Sequence, residues 1–310
     1  MTRRSLLALS FLLLPVALRS QDNPQSVRAK QDVLWARMQD SIATVVRQTD
    51  AVIGIAIVDL TDKRSYFLNA DAVFPTASTI KIAVLLELYH QAERAAAGGT
   101  GARLGDLYTV RAADVVAESN ILGGLTPEVS RVTNRDLATM VVAVSDNGAT
   151  NVLIDRVGMD NVNATLAQSG LKETRLRRHM MDVRAAREGR ENTTTPRELA
   201  SLLRALHDGT LLSKPMTADL VTMLSTPKES YIPRLLPSGV KIANKPGDLD
   251  GVRNDAGIVY VPDRPFAIAV MTTFGRDDAD SELAIARIAR AAWSYFDRVG
   301  RSSPLGRVVR

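Results

Sequence analysis

Strand-forming runs lie near the two ends of this chain, and the long stretch between them is patterned for helix. Near the start, Val52 to Leu60 (VIGIAIVDL) is an apolar, β-branched run, Thr61-Asp62-Lys63 supplies turn residues, and Ser65 to Leu68 follows. That combination predicts a hairpin. Strand signals return at Val240–Asn244, Ala256–Val261 and Phe266–Thr273, with Pro262-Asp263-Arg264-Pro265 turning between the last two. From Thr76 to about Gly209 the patterns are helical. Two starts are marked there: Thr133-x-x-Asp136, and Thr195-Pro196-x-Glu198 with proline at the first helical position. Residues 27–49 and about Ser281–Phe296 read as amphipathic helices at either end. The expected fold is α+β: an antiparallel sheet built from N- and C-terminal segments, flanked by helices, with an inserted all-α lobe. The α/β lobe takes about residues 27–75 and 225–310, the helical lobe about 76–224, and 21–310 form a single domain. The junction of two lobes leaves a cleft, where sites often lie.

The first twenty residues read as separate from the fold. Thr2-Arg3-Arg4 is a positive start, Leu6 to Leu18 is an apolar run too short to span a bilayer comfortably, and polar Gln21-Asp22-Asn23 follows. This is the build of a secretory signal peptide, and it implies a periplasmic or secreted protein with no stable membrane association after cleavage. Leu18-Arg19-Ser20 is a poor small-x-small match, so an uncleaved anchor is the rival reading. The chain has no cysteine, which excludes a disulfide framework and thiolate chemistry. Its formal charge of +5 includes Arg3, Arg4 and Arg19, and removing those three leaves about +2. That is too mild to argue for nucleic acid or an anionic membrane, and Lys and Arg are scattered rather than blocked.

Three short segments can carry chemistry. Ser78-Thr79-Ile80-Lys81 follows Pro75 and Thr76 and precedes the strongly helical Ile82 to Tyr89, which puts Ser78 in the first turn of a helix. Residues three apart share a helical face, so the Lys81 amine can reach the Ser78 hydroxyl, and the helix start favours developing negative charge. Burial beside other cations lowers a lysine pKa and makes the amine a base. The tetrapeptide alone reads better as a capping hydroxyl, and Ser225-Thr226-Pro227-Lys228 repeats it with no helix start behind it. Ser145-Asp146-Asn147 lies on a short loop between two apolar helices, Leu137–Val144 and Ala149–Ile154. It is a place for displayed binding groups or an ordinary capping cluster. Lys245-Pro246-Gly247 ends a late strand, giving a cation and a glycine that allows close backbone approach to a ligand; alone it would be a turn.

With Ser-x-x-Lys, Ser-Asp-Asn and Lys-x-Gly in that order, 67 and 100 residues apart, the chain resembles the class A β-lactamase family of penicillin-recognising serine enzymes. Glu118-Ser119-Asn120-Ile121-Leu122 and Asn192-Thr193-Thr194-Thr195-Pro196 extend the resemblance across essentially the whole chain after residue 20. The resemblance implies a β-lactamase/transpeptidase-like fold. It makes Ser78 the acylated nucleophile and Lys81 its proton acceptor, with Ser145 relaying the proton to the leaving nitrogen. Asn147 would hold the substrate's side-chain amide and Lys245 would attract its carboxylate. The oxyanion hole would be the backbone N–H groups of Ser78 and of Asp248, the residue after Gly247. No metal or organic cofactor is implied. The expected partner is a small molecule, a β-lactam or an acyl-D-Ala-D-Ala-like compound, and the chain is expected to act as a monomer.

Two departures qualify the match. On the loop Arg175 to Asp182, the family has a glutamate that directs water onto the acyl-enzyme, and the corresponding residue here is Met180. A thioether is no base. Asp182 and His179 are the nearby candidates; Asp182 reads equally as a pin to Arg178 or Arg184, while His179 reads better as a solvated ring. Pro246 stands where the family has a hydroxyl residue, which removes one hydrogen bond to a substrate carboxylate and confines the strand to a sheet edge. Arg253 is a substitute carboxylate ligand or a surface partner of Asp250 or Asp255. Acylation is therefore expected to be competent and deacylation to be slow. A peptidase or esterase acting on related acyl compounds, and a penicillin-binding sensor that stays acylated, are the alternatives.

Overall fold

A computed structural model describes residues 24–308, so the expected signal peptide lies outside the described residues. In chain order, α1 (Pro24–Gln48) leads into the hairpin β1 (Val52–Asp59) and β2 (Ser65–Leu68), and then into the two-residue strand β3 (Phe74–Pro75). The helical stretch contains α2 (Lys81–Ala96), α3 (Asn134–Ala143), α4 (Asn147–Val157), α5 (Met159–Gln168), the short α6 (Val183–Arg187), α7 (Pro196–His207) and α8 (Lys214–Leu224). Small ladders interrupt it, β4 (Leu107–Thr109) with β5 (Arg131–Thr133), and β6 (Thr193–Thr194) with β3. Finally β7 (Lys241–Leu249), β8 (Val252–Tyr260) and β9 (Phe266–Thr273) precede α9 (Asp278–Gly300).

The expected α+β architecture is what these elements form. Five strands make one sheet in the order β2-β1-β9-β8-β7, every pair antiparallel. The first strand of the chain therefore pairs with the last, and the helical lobe is looped out between them. Side chains alternate across the sheet, as period-two geometry requires. Ile53, Ile55 and Ile57 of β1 and Phe266, Ile268 and Val270 of β9 pack with α1 and α9, joined by Trp35, Tyr295 and Phe296. Ala56, Val58, Ala267, Ala269 and Met271 face the other way, into the core shared with α2, α4 and α7. Because both faces are covered, the strand runs are continuously apolar rather than alternating.

Local signals fix the element starts. Thr133 and Asp136 cap α3 reciprocally, and the Thr195 hydroxyl accepts from the Glu198 N–H at 3.1 Å ahead of Pro196. In the β1–β2 turn, Asp59 accepts from the Thr61 and Asp62 N–H groups. Strand β7 runs five residues beyond its expected end at Asn244, carrying Lys245, Pro246 and Gly247 inside the ladder, where Pro246 lies opposite Asp255. It is an edge strand, so the missing proline N–H costs no ladder partner. Among the described residues no helix is long and apolar enough to cross a membrane.

Candidate active site

The serine turn is built by strain and close packing. Ala77 takes a left-handed φ of 47°, and the 3-10 turn Ala77–Ile80 then runs straight into α2. Ser78 is thus in a tight turn leading into the helix rather than within its first α-helical turn. The Thr79 hydroxyl donates to Thr76 O at 2.7 Å and pins the turn, while Ser78 stays partly exposed. Edge strand β7 presses against it. A Cβ on Gly247 would lie 2.6 Å from Ser78 N and 2.9 Å from Thr79 N, so only glycine lets the two backbones meet. The peptide that carries the Asp248 N–H is thereby brought beside Ser78, the arrangement an oxyanion hole needs.

Lys81, the first residue of α2, is wholly buried. Its Nζ donates to Ser145 O at 2.7 Å and to Asn147 Oδ1 at 2.8 Å, and lies 3.0 Å from Ser145 Oγ. Lys245, equally buried, donates to the same Ser145 Oγ at 3.0 Å and to Pro246 O at 2.9 Å. Ser145 reaches between the two ammonium groups from a left-handed conformation, φ 56°. Burial first, then the Lys245 charge, pushes the Lys81 ammonium well below the usual lysine range, against the pull of Asp146, Glu118 and Asp248. Desolvation brings Lys245 down to about 7, with Asp248 and Asp255 opposing and Lys228 assisting.

The middle residue of Ser145-Asp146-Asn147 is structural. Asp146 caps α4 through the Ala149 N–H at 2.9 Å, and its other oxygen accepts from Ile121 N and Leu122 N. That draws the Ala117–Leu122 segment against the site. Asn147 is buried with its amide engaged at both ends: Oδ1 takes Lys81, and Nδ2 donates to Ala117 O at 3.2 Å and to the Glu118 carboxylate at 3.1 Å. A substrate amide meeting Asn147 would have to share Nδ2 with the exposed Glu118 side chain.

A cavity of about 470 Å³ opens on the Lys245 side, lined by Ser145, Lys245, Pro246, Asp248, Lys228 and Glu229 among others. Lys228 is the surprise. It belongs to the second Ser-x-x-Lys copy, and it places a third ammonium in the wall of the same cavity. Its Nζ donates to Leu224 O at 2.8 Å, and burial lowers it to about 8. The Asp248 carboxylate accepts from the Tyr231 hydroxyl, which anchors the end of β7. Nothing in the sequence marks Tyr231, and the Ser-x-x-Lys spacing that marks Lys228 does not point to this cavity, because the fold alone brings both to β7.

The remaining candidates stand elsewhere. Arg253 does not hold its fork out to a ligand, and neither Asp250 nor Asp255 is its partner. Its guanidinium pairs with Asp278 at 2.7 Å and Glu282 at 3.1 Å in the first turns of α9. The neighbouring Asn254 points toward the serine turn instead, donating to Pro75 O and Thr76 O. Asp182 is exposed and caps α6 through Ala185 N at 2.9 Å. It pins neither expected arginine, since Arg178 pairs with Glu191 and Arg184 with Glu188. His179 hydrogen-bonds Asp155 at 2.8 Å. Met180 is buried in the helical-lobe core, and its backbone is clamped on both sides by Asn151 of α4, at 2.8 and 3.1 Å.

Comparisons with known proteins agree on the family to which this fold belongs. Residues 37–296 match the model of the β-lactamase enzyme family, and the chain belongs to that family. It is 28% identical over 275 residues to β-lactamase ROB-1 of Haemophilus influenzae, covering 84% of each chain. To β-lactamase AST-1 of Nocardia asteroides it is 30% identical over 256 residues, 81% of this chain and 80% of that one. Among solved structures, a β-lactamase from Sphaerobacter thermophilus superposes with a TM-score of 0.76 at 32% identity, covering 84% of this chain and 97% of the other. PBP-A superposes with a TM-score of 0.75 at 28% identity, covering 84% and 96%, and a mutant of PBP-A has been solved as an acyl-enzyme with penicillin G.

Proposed function

We propose that this chain is an exported serine hydrolase of β-lactamase type, acylated at Ser78 by β-lactams and slow to release the acyl group. The observation that carries the reading is the hydrogen-bonding of Lys81. A neutral amine has two N–H groups and one lone pair. Its two N–H groups are taken by Ser145 O and Asn147 Oδ1, so the lone pair is left to accept a hydroxyl proton; the hydroxyl in hydrogen-bond contact with it is Ser145 Oγ at 3.0 Å, and Ser78 lies three residues before Lys81 in the chain. In this reading Lys81 accepts the Ser78 proton as Ser78 Oγ bonds to the lactam carbonyl. The Ser78 and Asp248 N–H groups hold the oxyanion. As the C–N bond breaks, Ser145 hands its proton to the leaving nitrogen and is reprotonated from Lys81. Lys245, helped by Lys228, attracts the substrate carboxylate in place of the hydroxyl missing at Pro246. Hydrolysis of the ester then needs an activated water, and Met180 offers none.

A second reading is favoured by Met180 and by the likeness to PBP-A: a peptidase or esterase on acyl-D-Ala-D-Ala-like compounds, or a penicillin sensor that stays acylated. Intact mass after benzylpenicillin addition, beside a Ser78→Ala control, tests these. An adduct that forms only with Ser78 present and clears slowly supports the leading reading. One that never clears favours the sensor. Turnover of the peptide or ester with a negligible penicillin adduct favours the peptidase. Export to the periplasm or medium, and action as a monomer, belong to the same proposal; export rests on the Leu6 to Leu18 run.

A further inference from the structure

Helices α1 and α9 lie on the face of the sheet opposite the helical lobe, and the groove between them gathers charge that the sequence scatters. Arg287, Arg290 and Arg298 recur at helical spacing along one side of α9, and Arg37 faces them from α1 across a cavity of about 500 Å³. All four side chains are exposed. Among the described residues none of them makes an ion pair, and no acidic residue lines the groove. One turn away, Arg301 is already paired with Asp297, and Arg234 and Arg253 take Glu282. Arg290 also donates to Leu235 O at 3.4 Å, a neutral acceptor that leaves its charge in place, so four positive charges line one groove and favour an anion there. Leu34 and Met38 give the groove an apolar floor.

We propose that this groove is a binding site for a phosphate-bearing anion, separate from the serine site. Phosphate suits it better than a carboxylate, because one group carries up to two charges and three acceptor oxygens, and guanidinium forks match that geometry. The apolar floor accepts the non-polar part of an ester. The phosphate group has two possible sources, a soluble phosphate compound or a phospholipid headgroup, and both present the same oxygens.

The molecule carries its own reporter. Its two tryptophans, Trp35 and Trp293, sit on these two helices, and the Arg290 guanidinium lies 4.8 Å over the Trp293 ring. Titrating the purified protein with tripolyphosphate should change tryptophan emission saturably. The double variant Arg287→Gln/Arg298→Gln should bind roughly tenfold more weakly or worse, the scale of one or two lost charge-assisted hydrogen bonds. Arg204→Gln, on an exposed arginine of α7, should bind like the parent, and penicillin acylation should be the same in all three. Co-sedimentation with phosphatidylglycerol vesicles but not phosphatidylcholine vesicles, lost in the double variant, would assign a headgroup. A tripolyphosphate response without vesicle binding would assign a soluble phosphate. If neither probe binds, or the double variant and Arg204→Gln respond equally, the proposal is overturned.

Discussion

Ser145 shows how much one side chain settles here. Its hydroxyl oxygen is 3.0 Å from both lysine nitrogens, and those lysines titrate in different directions of use. Lys81 is useful as a free amine, and burial shifts it toward that form. Lys245 is useful as a cation and keeps its charge only below about 7. Acylation by a carboxylate-bearing penicillin should therefore rise with pH as Lys81 loses its proton, then fall above about 7 as Lys245 loses its charge. A neutral ester should show the rise without the fall; a fall of equal size with both substrates would contradict these roles. At Met180, installing the missing base is the direct trial. Met180→Glu should speed loss of the acyl group by about 100-fold or more, the usual worth of a positioned base. It should also cost about 1–3 kcal/mol of stability, because it buries a carboxyl in the helical-lobe core. Stopped-flow or mass-resolved deacylation and a denaturant melt read the two effects.

Among the elements, β7 makes the site, and Gly247 is its point of contact. Gly247→Ala should cost about 1–3 kcal/mol through overpacking against the backbone of the serine turn. It should also slow acylation by about 100-fold as the oxyanion N–H groups are forced apart. A thermal melt and an acylation time course would show both, and an unaltered acylation rate would separate β7 from catalysis. The same strand marks how far the sequence can be read. β9 was legible to both ends because its apolar run has turn residues on either side. β7 was legible only to Asn244, since Lys245-Pro246-Gly247 has turn chemistry, and nothing local announces that its partner strand lies on one side only. The ladders of two and three residues left no periodic signal. Ser78, Lys81, Ser145 and Lys245 were legible as motifs, whereas Lys228 was not: its role comes from the cavity, and its tetrapeptide resembles the serine turn only by composition. Arg253 misled for the opposite reason, because its acids on α9 arrive from a distant part of the chain.

For the whole molecule, a site of buried lysines is held at the expense of stability. Between about pH 7 and 10 the unfolded chain binds a proton on Lys245 that the folded chain has released, so this group favours folding more as pH rises. Lys245→Met should therefore be more stable than the parent at pH 7, by about 1–4 kcal/mol if it behaves like other buried-charge replacements. That gain should shrink toward pH 10; a gain constant across the range would mean Lys245 is not depressed. The charge is tolerated because the sheet and helical lobe close around it, with α1 and α9 packing the far face and leaving the arginine groove there. The central claim is attack by Ser78, and the repeated Ser-x-x-Lys supplies an internal control. After brief exposure to benzylpenicillin, tryptic mapping should find the penicilloyl group on the fragment 65–81, which contains Ser78, and not on 205–228, which contains Ser225. The Ser78→Ala protein should carry no adduct. An adduct on 205–228, or one that survives in Ser78→Ala, would contradict the account.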